Sequence, residues 1–315
     1  MVGGGVIGLS CALELTDAGH DVTVLARDKL ADTTSARAGA VWFPFRSAPA
    51  ARVLGWGART FERLEALTAD PETGVRMQRG RVLHRTANPD LWWTAAVPSV
   101  TTIDDPAELP DGVVSASVCT VPVIDMSRYL PWLQAQCDAR GVQTVRRELT
   151  DLDEAFERGD LVVLAAGLAS NDFADDADVT PIRGQTVRLK NPGYFEWTLD
   201  YGNPAGLTYV IPRIDEIVCG GTDEEGEWGL ELDPAVEAGV LERVRALIPE
   251  LRDAPITSRA MGLRPGRHEV RVETIPDAQG RPVIHCYGHG GSGVTLSWGC
   301  AEEVAALAGA LSDQI

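Results

Sequence analysis

Hydrophobic positions follow two different periods along this chain, and the places where one gives way to the other predict its architecture. Near the start, Leu9, Ala12, Leu13 and Leu15 keep helical spacing. A turn at Gly19-His20-Asp21 follows, and then the apolar strand Val22-Thr23-Val24-Leu25, an order that reads as a β-α-β unit. Helical spacing returns over residues 50–68 (Val53, Leu54, Trp56, Phe61, Leu64, Leu67), and again from about Ser127 to Arg140, ended by Gly141. A strand at Val142 to Val145 and the continuous apolar run Leu161 to Ala166, closed by Gly167, have the character of buried parallel strands.

From about Pro181 the period shortens to two, in Thr186 to Leu189, Thr208 to Ile211 and Ile217 to Gly221, which predicts an antiparallel sheet. A helix is expected near 234–248 and a last one from about Trp298 to Leu311, while 75–120 reads as short strands, turns and prolines. The expected fold is therefore α/β with two discontinuous domains. A Rossmann-like dinucleotide domain takes 1–45, 127–185 and 260–315, and a substrate domain on a mostly antiparallel sheet takes 46–126 and 186–259.

Two glycine-rich segments carry the candidate chemistry. Gly3-Gly4-Gly5-Val6-Ile7-Gly8 fits the dinucleotide fingerprint, in which successive glycines make the tight turn, admit the pyrophosphate and let the helix pack on the sheet. Only Met1 and Val2 precede it, where a buried central strand of about five residues is usual. A sheet lacking most of its middle strand is expected, with a cost to stability and cofactor affinity. After the second strand, Ala26-Arg27-Asp28 displaces the usual ribose-binding acid by an arginine, so Asp28 is read as the ribose ligand and Arg27 as a phosphate ligand or an adenine platform. The second segment is Tyr287-Gly288-His289-Gly290-Gly291-Ser292-Gly293.

Charge and composition narrow the partners. A net charge of −18 repels nucleic acid and anionic lipid. The chain has no run of eighteen apolar residues and no secretory apolar segment, so the expected address is the cytoplasm. Six cysteines without C-x-x-C spacing are expected to be free thiols, and five histidines without a ligand array predict no metal site.

Gly262-Leu263-Arg264-Pro265, followed by Val283-Ile284-His285-Cys286-Tyr287 through Gly293 and then Trp298-Gly299-Cys300-Ala301, resembles the D-amino-acid oxidases, FAD-dependent flavoproteins. Supporting pieces in matching order are Gly3 to Gly8, Leu25 to Asp28, Ala38 to Trp42, Ile182 to Val187 and Tyr209 to Pro212, so the resemblance spans nearly the whole chain. One departure is Cys286, where the family usually carries Asn, His or Ala.

The resemblance implies non-covalent FAD and a D-amino acid whose carboxylate meets Arg264 and Tyr209 and whose amine meets the Gly291 carbonyl. The amine proton goes to solvent, and the Cα hydride passes to the flavin N5. The imino acid hydrolyses to a 2-oxo acid and ammonia, while dioxygen reoxidises the flavin to give hydrogen peroxide. It also implies that Arg27 and Asp28 face adenosine, that Thr33, Thr34 and Ser35 take phosphate or ribose, and that Leu149 meets adenine. Gly39, Ala40 and Val41 would border the isoalloxazine, with Gly290, Gly291, Gly293, Val294 and Thr295 at its pyrimidine side. His285 and His289 are expected to be structural or flavin-supporting.

Ala205 stands where vertebrate relatives carry a lid tyrosine, so no gating lid is expected. Phe45, Trp197 and Trp228 are candidate pocket walls. An oxidase of acidic D-amino acids would need a further cation, for which Arg46, Arg183 and Arg213 are available. Glycine- or sarcosine-type oxidation, and flavin binding without turnover, are the remaining alternatives. A homodimer is an open expectation.

Overall fold

The computed structural model describes residues 1–312. In chain order the first elements are α1 (Val6–Asp17), β1 (Thr23–Ala26), α2 (Ala50–Leu67), β2 (Val75–His84), β3 (Val100–Ile103), β4 (Ser115–Ile124), α3 (Met126–Ala139), β5 (Gln143–Arg146), α4 (Asp153–Phe156) and β6 (Val162–Leu164). They are followed by α5 (Ser170–Ala174), β7 (Thr180–Lys190), β8 (Trp197–Asp200), β9 (Thr208–Pro212), β10 (Glu216–Gly220), β11 (Glu224–Glu225), α6 (Pro234–Leu247), β12 (Ile256–Gly266), β13 (Arg271–Thr274), β14 (Val283–Tyr287) and α7 (Gly293–Ser312).

One layer is built on parallel pairing. β1 runs parallel to β5, β14 runs parallel to β6, and β13 adds an antiparallel edge. Val2 stands between the two halves and bridges in parallel to both Leu25 and Leu164. Its amide donates to the Val163 carbonyl at 2.8 Å, and its own carbonyl accepts from Ala165 at 2.8 Å. Gly3 N–H donates to Leu25 at 2.9 Å. Val2 thus joins β1 to β6, with the Met1 carbonyl accepting from the Leu25 amide at 2.8 Å.

α1 is buried on nearly every side, because the sheet covers one face while α3 and α7 pack on others. α7 starts at Gly293, five residues before the expected Trp298, so its first turn is continuous with the glycine-rich loop. α2 lies against α7, where a Cβ at Gly299 would sit 2.3 Å from the Trp56 carbonyl, and Trp56 joins Cys11, Val163, Ile284 and Leu296 in one core. Helix 50–67 therefore packs into the parallel layer although its sequence neighbours belong to the other sheet.

The second layer is a nine-stranded sheet in the order β11-β7-β10-β9-β8-β2-β4-β3, with β12 also paired to β7. Pairing is antiparallel apart from β2 with β8. β2 and β4 are ten residues each and pair along their whole length, longer than the short strands expected over 75–120. Their alternation is interrupted in sequence by Gly80, whose missing side chain accommodates the Trp197 indole. β7 and β12, eleven residues each, run in register from Thr180↔Gly266 to Arg188↔Ser258, with a bulge before Leu189↔Ile256, and pass through the expected boundaries at 185 and 260. Two long strands therefore carry the second layer up to the edge of the first, and α6 closes the outer face through Val240 and Val244 against Val187 and Leu189.

Candidate active site

A continuous cavity of about 670 Å³ runs between the layers, within the range of cofactor and ligand sites. At one end it is bordered by Arg27, Asp28 and Leu149, in the middle by Gly3 to Ile7 and Thr33 to Ser35, and at the other end by Gly290, Gly291, Arg264 and Tyr209.

The glycine fingerprint acts through close approach. Gly3 takes φ +114°, and a Cβ there would lie 2.3 Å from the Ala165 carbonyl oxygen; at Gly4 it would lie 2.8 Å from the Ala26 methyl. Gly8 does not line the cavity. A Cβ on it would meet the Gly3 carbonyl oxygen at 1.9 Å, so it is the residue that lets α1 rest on the loop. Val6 N–H donates to Ser35 Oγ at 3.0 Å, tying the segment 33–37 over the start of α1. Arg27 and Asp28 pair with each other at 2.8 Å on the rim. The hydrogen bond from Arg27 is the main reason the Asp28 carboxyl is held below its ordinary range.

Ala40 is a non-glycine residue at φ +60°. The Ile124 amide donates to its carbonyl at 2.8 Å, and Val41 bridges to Val123, so the neighbouring sheet holds this backbone in place. Gly39, Ala40 and Val41 all border the cavity, as do Gly290, Gly291, Gly293, Val294 and Thr295.

These walls suit a dinucleotide. The first turns of α1 and of α7 both open on the cavity, and neither carries an acidic side chain, so both positive helix ends are left for electron-rich groups. His289 is buried on the same wall, and its Nε2 has no hydrogen-bond partner among the described residues. His285 does not border the cavity; its Nε2 faces the Ile275 carbonyl at 3.3 Å.

At the far end Arg264 and Tyr209 come together. The Arg264 guanidinium lies flat over Gly184, where a Cβ would be 2.4 Å from Nη1, and it donates to the Thr222 carbonyl at 3.0 Å. Among the described residues no carboxylate lies within 4.0 Å of it, so a cation borders the cavity without an anion. The Tyr209 ring covers Gly220 and Gly221, where a Cβ would come within 2.0 and 2.9 Å of it. Burial raises its hydroxyl pKa, with Arg264 acting in the opposite direction, and the group stays a protonated donor.

Gly291 is fixed by a hydrogen bond from its amide to the Phe45 carbonyl at 3.1 Å, and Phe45 N–H donates to Ser292 Oγ at 2.7 Å. Tyr201, which the sequence reading did not single out, stacks on Phe45 with centroids 5.0 Å apart and planes at 13°, and also meets Phe43 at 5.3 Å. It follows β8, the hairpin partner of β9, and that pairing was the available signal. Phe45 and Trp228 line the cavity as expected. Trp197 does not: it is buried against Gly80, its indole N–H donating to the Gln78 carbonyl at 2.8 Å.

The three candidate side-chain cations are already occupied. Arg46 pairs with Asp223 at 2.5 Å and with Glu225, Arg183 with Glu224 at 2.5 Å, and buried Arg213 with Glu216 at 2.8 Å.

Residues 1–307 match the family described as FAD dependent oxidoreductase. A protein named D-amino-acid oxidase from Rubrobacter xylanophilus is 49% identical, with 98% of this chain and 95% of that protein covered. One of the same name from Streptomyces coelicolor is 40% identical over 98% and 95%. Among solved structures, glycine oxidase from Geobacillus kaustophilus superposes with a TM-score of 0.81 at 17% identity, covering 98% and 93% of the two chains. With the glycine cradle, the two open helix ends and near full-length matches in hand, the chain belongs to the FAD dependent oxidoreductase family.

Proposed function

We propose that this protein oxidises free D-amino acids to 2-oxo acids, with ammonia and hydrogen peroxide as co-products. The observation that carries the reading is the Arg264 guanidinium, which borders the cavity without a carboxylate partner beside the buried Tyr209 hydroxyl. The names of the two relatives described above point the same way. FAD, when bound, supplies the acceptor for the two electrons leaving Cα, which dioxygen then removes as peroxide.

The residues of the chain bind and orient. Arg264 offers a planar fork that matches a carboxylate, and Tyr209 adds a second donor. The Gly291 carbonyl accepts from the amine, and the Phe43–Phe45–Tyr201 wall receives the side chain. These fixed contacts around Cα let the site distinguish D from L, and holding the reactant in one pose accounts for a large part of the rate. The carboxylates that line the cavity (Asp28, Asp32, Glu148, Asp172) belong to segments toward its dinucleotide end, and burial keeps Tyr201 and Tyr209 protonated. The amine proton is therefore passed to solvent.

Neutral side chains are favoured over acidic ones, because Arg46, Arg183 and Arg213 are each neutralised by an acid of the chain. The cytoplasm remains the proposed address, supported by six buried, free thiols.

Anaerobic mixing of FAD-loaded protein with paired D- and L-amino acids tests the proposal. Bleaching of the flavin absorbance by neutral D-isomers alone is expected; no bleaching by any D-amino acid would overturn it. Substituting Gly8→Ala is expected to weaken FAD binding by about 5- to 150-fold, since overpacking strain of roughly 1–3 kcal/mol falls on the loop that must receive the pyrophosphate. Fluorescence titration with FAD measures this, and unchanged affinity would contradict the packing role of Gly8.

A further inference from the structure

A second cavity, of about 140 Å³, opens between β2, β4, the start of α3 and the turn joining β9 to β10. Three of its lining residues are arginines, Arg76, Arg128 and Arg213, against one carboxylate, Asp125, in a chain whose net charge is −18. We propose that it binds a phosphate-sized oxyanion.

Three observations support this. Among the described residues, Arg76 and Arg128 have no carboxylate within 4.0 Å; burial is the main influence lowering the Arg76 pKa, with Asp125 favouring its charge and Arg128 disfavouring it. Asp125 offsets this repulsion at Arg76 without pairing to it, and the cost of burying the charge is met only in part. Arg213, with 1% of its side chain exposed, is held in place from behind: it donates to the Ala38 carbonyl at 2.9 Å and to Glu216 at 2.8 Å. Its Nε is buried and has no hydrogen-bond partner among the described residues.

The acids nearby offset Arg213 and leave Arg76 and Arg128 without a paired carboxylate. Asp125 is 3.6 Å from Arg213, but its Oδ1 already accepts from the Ser127 amide at 3.0 Å and the Ser127 hydroxyl at 2.7 Å, capping α3. Glu216 is shared between Arg213 and Arg188. Size and chemistry set the ligand class. The space admits one tetrahedral oxyanion with a few waters and is too small for a nucleotide, and guanidinium forks match phosphoryl oxygens in pairs.

Calorimetric titration of the FAD-loaded protein with inorganic phosphate, and separately with glycerol 3-phosphate, tests the site. Saturable one-to-one binding of phosphate is expected, weakened at least about 10-fold in the double variant Arg76→Gln/Arg128→Gln and retained in Arg264→Ala. Equal binding of the ester would identify a phosphate monoester as an accepted form, whereas its exclusion would identify free phosphate. The double variant must show the unaltered flavin spectrum; should it not, the exposed Arg128→Gln alone serves. No saturable heat up to about 10 mM, equal binding by the variant, or loss of binding in Arg264→Ala would each overturn the proposal.

Discussion

Replacing Arg264 by alanine is expected to lower kcat/KM for D-amino acids by about 30- to 4,000-fold, the equivalent of roughly 2–5 kcal/mol for truncating one partner of a buried charged pair. The loss should appear mainly as a raised KM, because the carboxylate contact is made in the ground state as well as in the transition state. Arg264 stands on β12 opposite β7, where Gly184 leaves room for the guanidinium to lie flat. Alanine keeps the strand and removes the fork. Lysine should restore only part of the loss, since one ammonium cannot present two parallel donors. Steady-state kinetics together with the flavin spectrum check this. An unchanged KM with an intact spectrum would mean that the substrate carboxylate is held elsewhere.

Asp176→Asn is expected to destabilise the fold by about 3–5 kcal/mol, the cost of removing one member of a buried ion pair, read as a fall in Tm of roughly 6–10 °C. Asp176 is 8% exposed. Its Oδ2 accepts from the Tyr287 hydroxyl at 2.8 Å, from Arg267 at 3.0 Å and from Arg271 at 2.9 Å. This network ties the segment after α5 to β13 and β14, just before the glycine-rich loop, and gives Tyr287 of that motif its role. Burial by itself would raise the Asp176 pKa, but the Tyr287 hydrogen bond and the two guanidiniums outweigh it and hold the carboxyl below its ordinary range. A depressed folded-state pKa means that the contribution is fully present above the unfolded value, near pH 4, and is lost as pH falls through the folded value. The stability gap between the parent and Asp176→Asn should therefore be full at neutral pH and close in acid. A gap that stays constant down to pH about 2 would show that packing, not charge, sets the loss.

Much of the site was legible in the sequence because its requirements are local. Gly3 and Gly290 need positive φ or close backbone approach, and only glycine meets those needs without strain, so the loops appear as letters. Helices α1, α2, α3 and α6 appear within a residue or a few of where their periodicity puts them. Arg27, Asp28 and Leu149, which the resemblance assigns to adenosine, line the same cavity as Thr33 to Ser35, which it assigns to phosphate or ribose.

What escaped depends on partners distant in the chain. Nothing local says that Arg46 will pair with Asp223, Arg183 with Glu224 and Arg213 with Glu216, and those pairings decide that no spare cation faces a substrate side chain from these three positions. Trp197 and Tyr201 lie four residues apart, yet Trp197 packs on Gly80 of β2 while Tyr201 stacks on Phe45. Neither partner is within a hundred residues of it. Two-residue pairing at Val2 likewise depends on β1 and β6 arriving on both sides.

By itself, the sequence determined the dinucleotide loop and most of the succession of helices and strands, because backbone conformation and periodicity are properties of neighbouring residues; the flavin-side loop and Arg264 with Tyr209 as proposed substrate anchors rested on the family resemblance of their motifs. Only the tertiary structure decided which charges are consumed, which aromatic rings form the wall and how Val2 joins β1 to β6. Those outcomes are set by contacts across the layers, where burial makes an unpaired charge costly and packing fixes its partner.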